Sequence, residues 1–367
     1  PVTNAWPADA SPATTSPLLT PVRIAICTPH WRCSSRFNRA NSSWSSSAAW
    51  AVALHVGVAA ASLGASLVVV VSIFRGTPVP LASARDYLTL TKPRIMSLLL
   101  VTGAAGMFVG AQGVPALDLF VLAMTGLALA CGGASALNHV LDRDIDRSMK
   151  RTSSRPVADG RVSPELALEF GLALSALSFV LLASAVNVLT ACLALVGNLF
   201  YVLVYTRWLK RSTPQNIVIG GAAGAVPPLV GYAAATGNLA LPALFLFLIV
   251  FFWTPPHFWA LALLIKRDYA AAKVPMLPVV RGDRETARQV LLYTVLLVGL
   301  TLVPVLTGTF GWLYLVAAVV LGGQFIRLAL RLRRVTAPAQ AGRLFHYSLA
   351  YLALLFVAMA IDPMVVL

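Results

Sequence analysis

Acidic and amide side chains recur at a regular spacing directly after the second long apolar stretch. Asn138, Asp142 and Asp146 stand four residues apart within NHVLDRDID. On a continuous helix each step of four residues turns about 40° and rises about 6 Å, so the three side chains would line one stripe. Such oxygens suit Mg²⁺, which commonly takes one or two carboxylates together with substrate phosphates. The spacing therefore predicts a metal site, with Asp144 off the stripe and facing a neighbouring arginine.

Basic residues accompany this stripe at the same end of the apolar segments. They are Lys150, Arg151 and Arg155, and, after the fourth apolar stretch, Lys210 and Arg211 in YTRWLKR. Tyr205, at the end of that stretch, is a further candidate for contact with phosphate. Arginine suits two-pronged contact with phosphate oxygens. Metal-binding acids beside phosphate-binding cations predict a diphosphate site. A solvated helix end with mixed charges is the alternative for the stripe alone.

A second cluster follows the sixth apolar stretch, in TPPHFWALALLIKRDYAAAKVP. Asp268 is a further candidate metal and diphosphate acid, and Lys273 a further cation. His257 precedes Asp268 by eleven residues, so the two would lie on nearly one face of a continuous helix. Three loops on one side of the apolar segments thus carry the candidate chemistry.

The composition shows what must position these groups. The chain has 367 residues, is 58% hydrophobic and only 11% charged, whereas soluble domains are about a quarter charged. Too few polar groups remain to cover a surface, so lipid must cover much of it. The net charge of +15 does not indicate nucleic acid, because the basic residues gather in short loops between apolar stretches. The four cysteines show no metal-binding spacing.

Membrane-spanning helices need about 20 mainly apolar residues. Nine stretches qualify, at residues 95–112, 117–140, 165–186, 189–206, 216–236, 241–265, 289–308, 312–332 and 345–361. The predicted fold is therefore an all-α polytopic membrane protein. Lys and Arg concentrate in every second loop, whereas the intervening loops contain none, which predicts that the motif-bearing loops are cytoplasmic.

The first 85 residues fit this pattern less well. Residues 1–50 are rich in Ser, Pro and Ala and read as a disordered leader. Residues 51–85 contain an apolar segment that forms an extra transmembrane helix or belongs to sequence upstream of the natural start, since no Met precedes Met96. Both readings stay open. The membrane domain is expected over residues 86–367.

Taken together, the motifs resemble the intramembrane prenyltransferase superfamily typified by the 4-hydroxybenzoate polyprenyltransferases, and within it the protohaem IX farnesyltransferases, or haem O synthases. The matching pieces are DYLTLTKPRI, NHVLDRDIDRSMKRTSSRP, YTRWLKRSTPQNIVIGGAAGAVPPLVGY, TPPHFWALAL and DYAAAKVPMLPVV. The Asn/Asp stripe is typical of the whole superfamily. TPPHFWALAL and VPMLPVV are specific to the haem-modifying branch, and the likeness spans about residues 86–365.

The resemblance implies nine helices around a central cavity that opens to the cytoplasmic side and to lipid. It implies farnesyl diphosphate and haem B as substrates, Mg²⁺ as cofactor, haem O as product and a downstream haem A synthase as partner. Asn138, Asp142, Asp146 and Asp268 would hold Mg²⁺ and diphosphate, and Arg151, Arg155, Lys210 and Arg211 would clamp the diphosphate. Many members carry two or more Asp in the second motif; here Asp268 stands by itself.

The aromatic residues of the sixth stretch are the candidates for haem contact. His257 either contacts haem or is a buried histidine bonded to backbone groups freed by Pro255 and Pro256. Trp253 and Trp259 either line a pocket or belong to the core. A prenyltransferase acting on an aromatic quinone precursor and, from a different class, a membrane transporter are the competing functions. The acids gather at one membrane face beside cations, which speaks against the transporter.

Overall fold

The computed structural model describes residues 83–365. The leader predicted for residues 1–50 and nearly all of the segment 51–85 lie outside the described residues. Within them the chain is helical and has no strand. In chain order the helices are α1 Ala84–Leu90, α2 Pro93–Ala111, α3 Leu117–Leu141, α4 Arg143–Ser148, α5 Pro156–Asp159, α6 Pro164–Ala185, α7 Val188–Ser212, α8 Asn216–Thr236, α9 Leu241–Leu264, α10 Lys266–Ala271, α11 Leu277–Val280, α12 Gly282–Leu306, α13 Trp312–Arg334 and α14 Pro338–Val365.

Nine of these helices, α2, α3, α6–α9 and α12–α14, are long and apolar enough to cross a membrane. The predicted all-α polytopic class is thus confirmed for residues 83–365. Predicted and observed bounds agree within two residues for most spans. The exceptions are α7, α12 and α14, which extend by polar turns such as residues 282–288. Hydropathy marks only the part of a helix that lies in hydrocarbon, so charged turns that continue the helix escape it.

The spanning helices pack against their neighbours in chain order, and α14 closes on α2. These neighbours form a closed ring of helices. Two further pairs pack across it: α8 on α2, and α9 on α14. Small residues permit the closest approach. A Cβ atom at Gly106 would meet the backbone of Pro228, and one at Gly231 would meet the backbone of Gly103. The α2 and α8 helices are therefore in backbone contact at these glycines.

Short helices at one end of the spans hold the predicted motifs. The α1 helix begins with a capping box, in which Asp86 accepts a bond from Ser83 N at 3.2 Å and donates its own N–H to Ser83 Oγ at 3.3 Å. Arg161 binds Asp86 and also donates to Ser154 O at 2.7 Å. These bonds tie α1 to the loop that follows α4. The motif end, defined as the end carrying α1, α4, α5 and α10, is therefore cross-linked by polar contacts.

Candidate active site

The Asn/Asp stripe is retained although the α3 helix, in which it begins, ends within it. The α3 helix ends at Leu141, and Asp142 leaves helical geometry with φ −93° and ψ 6°. The backbone bonds from Asp142 N to Asn138 O (2.9 Å) and from Asp146 N to Asp142 O (2.8 Å) nevertheless keep the four-residue register. All three side chains are buried, with at most 3% of their surface exposed. The predicted stripe therefore exists, as a buried row of oxygens that continues into α4.

Each member of the stripe accepts a bond from a cation on a different part of the chain. Lys92 Nζ lies 2.6 Å from Asn138 Oδ1, and Lys210 Nζ lies 2.5 Å from Asp142 Oδ2. Arg155 Nη1 lies 2.8 Å from both carboxylate oxygens of Asp146. Buried carboxylates need such partners, because an unpaired charge out of water is costly. Two predicted phosphate-binding cations, Lys210 and Arg155, thus reach the stripe.

A π-helical segment in α7 orients the amide of Asn138. Asn138 Nδ2 donates to Asp142 Oδ2 at 2.8 Å and to Thr206 Oγ1 at 3.0 Å. Thr206 in turn donates to Tyr201 O, five residues earlier, at 2.9 Å. Residues Phe200–Leu209 form the π-helix, a rare element that is frequent at functional sites. The wider turn of this segment precedes Lys210 and presents Thr206 to the stripe.

One oxygen of the stripe is free to bind a cation. Asp142 Oδ1 is buried and has no hydrogen-bond partner among the described residues. An unpaired buried carboxylate oxygen is costly and suits a hard cation. Between residues 83 and 365 no group of three or more His, Cys, Asp or Glu side chains could hold a metal by itself. The donor set therefore fits Mg²⁺, which completes its coordination with water and substrate phosphates.

Asp144 and Arg211 form a separate ion pair on the outer side of the stripe. Arg211 binds both oxygens of Asp144 at 2.7 Å and donates to Leu141 O, the last carbonyl of α3, at 2.7 Å. The bond from Arg211 lowers the pKa of Asp144 to about 2. The prediction that Asp144 faces an arginine is confirmed. Contact of Arg211 with diphosphate stays a prediction.

The second motif lies on α10 and does not continue α9. The α9 helix ends at Leu264, and Ile265 interrupts the helix with φ −114° and ψ 30°, so His257 and Asp268 are not on one continuous helix. Asp268 is half-buried. Tyr269 is buried in one apolar cluster with Ile145 and Met149 of the first motif, and burial raises its pKa. The second motif therefore faces the first across the motif end.

The remaining predicted phosphate-binding residues surround these two motifs. Lys150, Arg151 and Lys273 are exposed. Tyr205 stacks on Tyr201 with ring centroids 5.5 Å apart. Lys273 has a left-handed backbone with φ 55°. With Asp144, Ile145, Ser148, Arg211, Ala272 and Val274 it lines a surface cavity of about 220 Å³. The contacts of these four residues with diphosphate stay predictions.

The aromatic candidates form a stack between α9 and α14. His257 lies between Trp253 and Phe345, with ring centroids 4.3 Å and 4.7 Å away. Its Nδ1 is 2.7 Å from Ser348 Oγ, so this nitrogen bonds a side chain and not the backbone freed by the prolines. Trp253 Nε1 donates to Ser348 O at 2.7 Å. The stack fixes the orientation of His257, and haem contact stays a prediction.

Three further polar residues lie near the stripe or the aromatic stack: Trp259, His139 and Lys92. Trp259 is buried against Tyr293, with ring centroids 5.3 Å apart, and its Nε1 has no partner among the described residues. His139 is buried beside the stripe, and neither of its ring nitrogens has a partner there. Lys92, which binds Asn138, was not among the site residues predicted from the sequence. The Lys-Pro pair that begins α2 was the available signal.

Comparison with known proteins agrees with this geometry. The profile of the UbiA prenyltransferase family matches residues 99–357. The chain belongs to this family. It is an integral, multi-pass membrane protein. It is 57% identical over 280 residues to the protoheme IX farnesyltransferase of Symbiobacterium thermophilum, covering 76% of this chain and 94% of that protein. It is 50% identical to the Synechocystis protein of the same name, covering 77% and 90%.

A longer relative and two solved structures complete the comparison. The protoheme IX farnesyltransferase of Roseiflexus sp. is 53% identical over 77% of this chain, but the chain spans only 53% of its length. A digeranylgeranylglyceryl phosphate synthase structure covers 76% of this chain and 98% of its own, at 20% identity and a TM-score of 0.64. A UbiA homologue from Archaeoglobus fulgidus bound to DMAPP and Mg²⁺ covers 75% and 99%, at 19% identity and a TM-score of 0.54. These structures establish the fold.

Proposed function

We propose that this protein transfers the farnesyl group of farnesyl diphosphate to a vinyl group of haem B, giving haem O and diphosphate. The observation that carries the proposal is a buried Asn/Asp row bound by cations from three separate segments. It occurs in a chain that is 57% and 50% identical, over 76% and 77% of its length, to two proteins named for this reaction. The prenyl diphosphate and Mg²⁺ bound by a protein of the same fold support the donor side.

The motif end would bind the donor substrate. Asn138, Asp142 and Asp146, with Asp268 from the second motif, would hold Mg²⁺, which when bound stabilises the negative charge that develops on the leaving diphosphate. The cationic and phenolic side chains would contact the phosphate oxygens and favour their charged form. They are Lys150, Arg151, Arg155, Tyr205, Lys210, Arg211 and Lys273.

The acceptor chemistry balances with one water. The bond between the farnesyl C1 and the diphosphate oxygen breaks, and the electron pair leaves with diphosphate. The vinyl π electrons then form the new carbon–carbon bond, and water captures the resulting cation and loses a proton. Trp253, His257 and Trp259 would contact the porphyrin from α9. Exclusion of bulk water would protect the allylic cation until the vinyl group attacks.

The cellular setting follows from the same assignment. The distribution of Lys and Arg supports a cytoplasmic location for the motif end, and the relatives from Symbiobacterium thermophilum and Synechocystis support a bacterial cytoplasmic membrane. Haem O is the precursor that a haem A synthase oxidises, so such an enzyme would receive the product and be a candidate partner.

The test is incubation of the purified protein in lipid nanodiscs with haem B, farnesyl diphosphate and Mg²⁺, with products read by mass spectrometry. We expect haem bearing a hydroxyethylfarnesyl group, lost on chelation and in Asp142→Asn. Asp118→Asn is the matched control and should keep activity, because Asp118 is exposed in the first turn of α3, at the opposite end of that helix from Asp142. Prenylation of a quinone precursor with no modified haem would refute the acceptor. Absence of any prenylated product from folded protein would refute the reaction.

A further inference from the structure

The three proposed metal ligands share a feature that the sequence motifs do not contain. An oxygen of each ligand accepts a hydrogen bond from a basic side chain in another segment of the chain. Asn138 accepts from Lys92, Asp142 from Lys210, and Asp146 from Arg155. Asp142 Oδ2 also accepts from Asn138. Any divalent cation that uses these oxygens must therefore compete with three basic groups already bound to them.

Electrostatics makes this competition severe for a metal that arrives by itself. Mg²⁺ at the stripe would lie within a few ångströms of Lys92, Lys210 and Arg155, and like charges repel strongly where water is excluded. The same three donors are well suited to phosphate oxygens. A diphosphate that arrives with the metal offers them new partners and neutralises the added charge.

We propose that Lys92, Lys210 and Arg155 exchange partners on binding, leaving the oxygens of the stripe to Mg²⁺ and moving to the diphosphate, so that metal and diphosphate bind together. Lys92 is thereby a further diphosphate-binding residue, from a segment outside the Asp motifs. The proposal deepens the proposed function and rests on it for the identity of the phosphate ligand. Coupling of this kind is reciprocal: diphosphate must raise the affinity for Mg²⁺ by the same factor as Mg²⁺ raises that for diphosphate.

The backbone conformation around Lys92 places its side chain at the stripe. Lys92 has φ 51° and ψ 61°, a left-handed conformation that is unfavourable for a residue with a Cβ atom and that persists only where the surroundings enforce it. Pro93 begins α2 immediately afterwards. On the other side, Arg161 joins Asp86 of α1 to Ser154 O, one residue from Arg155. Lys92 and Arg155 are therefore held by one connected set of contacts.

The test measures binding of inorganic diphosphate and of Mg²⁺, separately and together, by isothermal titration of the full chain in nanodiscs without haem or farnesyl groups. Lys92→Met is compared with wild type and with Arg94→Met, which removes an exposed cation two residues away. In Lys92→Met we expect diphosphate affinity at saturating Mg²⁺ to fall about 10-fold or more, as for a lost bond to a charged group. Affinity for Mg²⁺ alone should rise, because Asn138 Oδ1 is released. Arg94→Met should change neither.

A fall in diphosphate affinity together with a rise in Mg²⁺ affinity distinguishes partner exchange from a loss of structure, which would lower both affinities. Diphosphate affinity in Lys92→Met within about twofold of Arg94→Met would overturn the proposal. If both affinities fall together, Lys92→Arg decides: retention of diphosphate binding supports the cation, and an equal loss overturns it in favour of a packing role. Wild type that binds Mg²⁺ with diphosphate but never modifies haem would refute the proposed acceptor and leave the exchange standing. Wild type that binds no diphosphate would refute both.

Discussion

Two arginine–aspartate pairs with similar bond lengths and different burial allow a sharp test of the site. Arg155 binds both oxygens of Asp146, and Arg211 binds both oxygens of Asp144, all at 2.7–2.8 Å. The side chains of the first pair are 22% and 3% exposed, and those of the second 32% and 66%. We expect Asp146→Asn to lower the free energy of unfolding and Asp144→Asn to leave it nearly unchanged.

The magnitude follows from what each substitution leaves behind. Loss of one partner of a buried pair costs about 3–5 kcal/mol. Arg155 retains some access to water, which favours the lower end, about 3 kcal/mol. Thr152 Oγ1 donates to the backbone of Asp146, so that bond survives the change. For the exposed pair the expected loss is about 0–1 kcal/mol. The difference of at least about 2 kcal/mol lies within measurable range.

The assay is reversible unfolding in mixed micelles followed by circular dichroism, with prenyl transfer measured in parallel. Asp146→Asn should lose both stability and turnover, whereas Asp144→Asn should keep both. In the double variant Asp146→Asn/Arg155→Met the unpaired cation is also removed, so part of the lost stability should return. Equal stability of the two single variants would show that burial does not decide the strength of these pairs. Full turnover in Asp146→Asn would remove Asp146 from the proposed metal ligands.

Three other outcomes are expected. Asp142→Ala should abolish product formation while the protein still inserts and elutes as wild type does in size-exclusion chromatography; a normal rate would contradict metal binding by Asp142. Gly106→Val should lower the unfolding midpoint, because its side chain has no room against the backbone of Pro228, and overpacking costs about 1–3 kcal/mol; an unchanged midpoint would show that α2 and α8 can separate freely. Ser348→Ala removes the partner of His257 Nδ1, and, if His257 contacts haem, should alter the absorption spectrum of added haem B; a spectrum identical to wild type would count against that contact.

The sequence was sufficient for the spanning helices because their signal is local. A stretch of about 20 apolar residues leaves few alternatives to a transmembrane helix. The predicted bounds of α12 and α14 did not include the polar turns that extend these helices beyond their apolar part. The π-helix at Phe200–Leu209 could not be predicted either, because the same apolar residues are compatible with α-helical and π-helical hydrogen bonding.

The site was predictable where it depends on spacing and not where it depends on distant contacts. Asn138, Asp142 and Asp146 are four residues apart, so helical geometry alone aligns them. Lys92 meets Asn138 across 46 residues, and His257 meets Ser348 across 91. Such contacts require the packing of whole helices, which one sequence does not reveal. A lysine just before a membrane span is expected on the cytoplasmic side of a membrane protein. Because this accounts for Lys92, its contact with the stripe was not predicted from the sequence.

The charges at the stripe indicate which kind of ligand the site is built to receive. Three basic side chains, Lys92, Arg155 and Lys210, contact one amide and two carboxylates. Burial lowers the pKa of Lys92 to about 7, so the row is neutral when Lys92 is deprotonated and carries one positive charge when it is protonated. In either case a divalent metal by itself would add positive charge that these residues do not balance, in a place largely shielded from water, whereas diphosphate would offset it. A site designed for a free metal ion would instead show acids in excess. Because acids are not in excess at this row of metal-type oxygens, the row favours a ligand that is itself an anion and brings its metal with it.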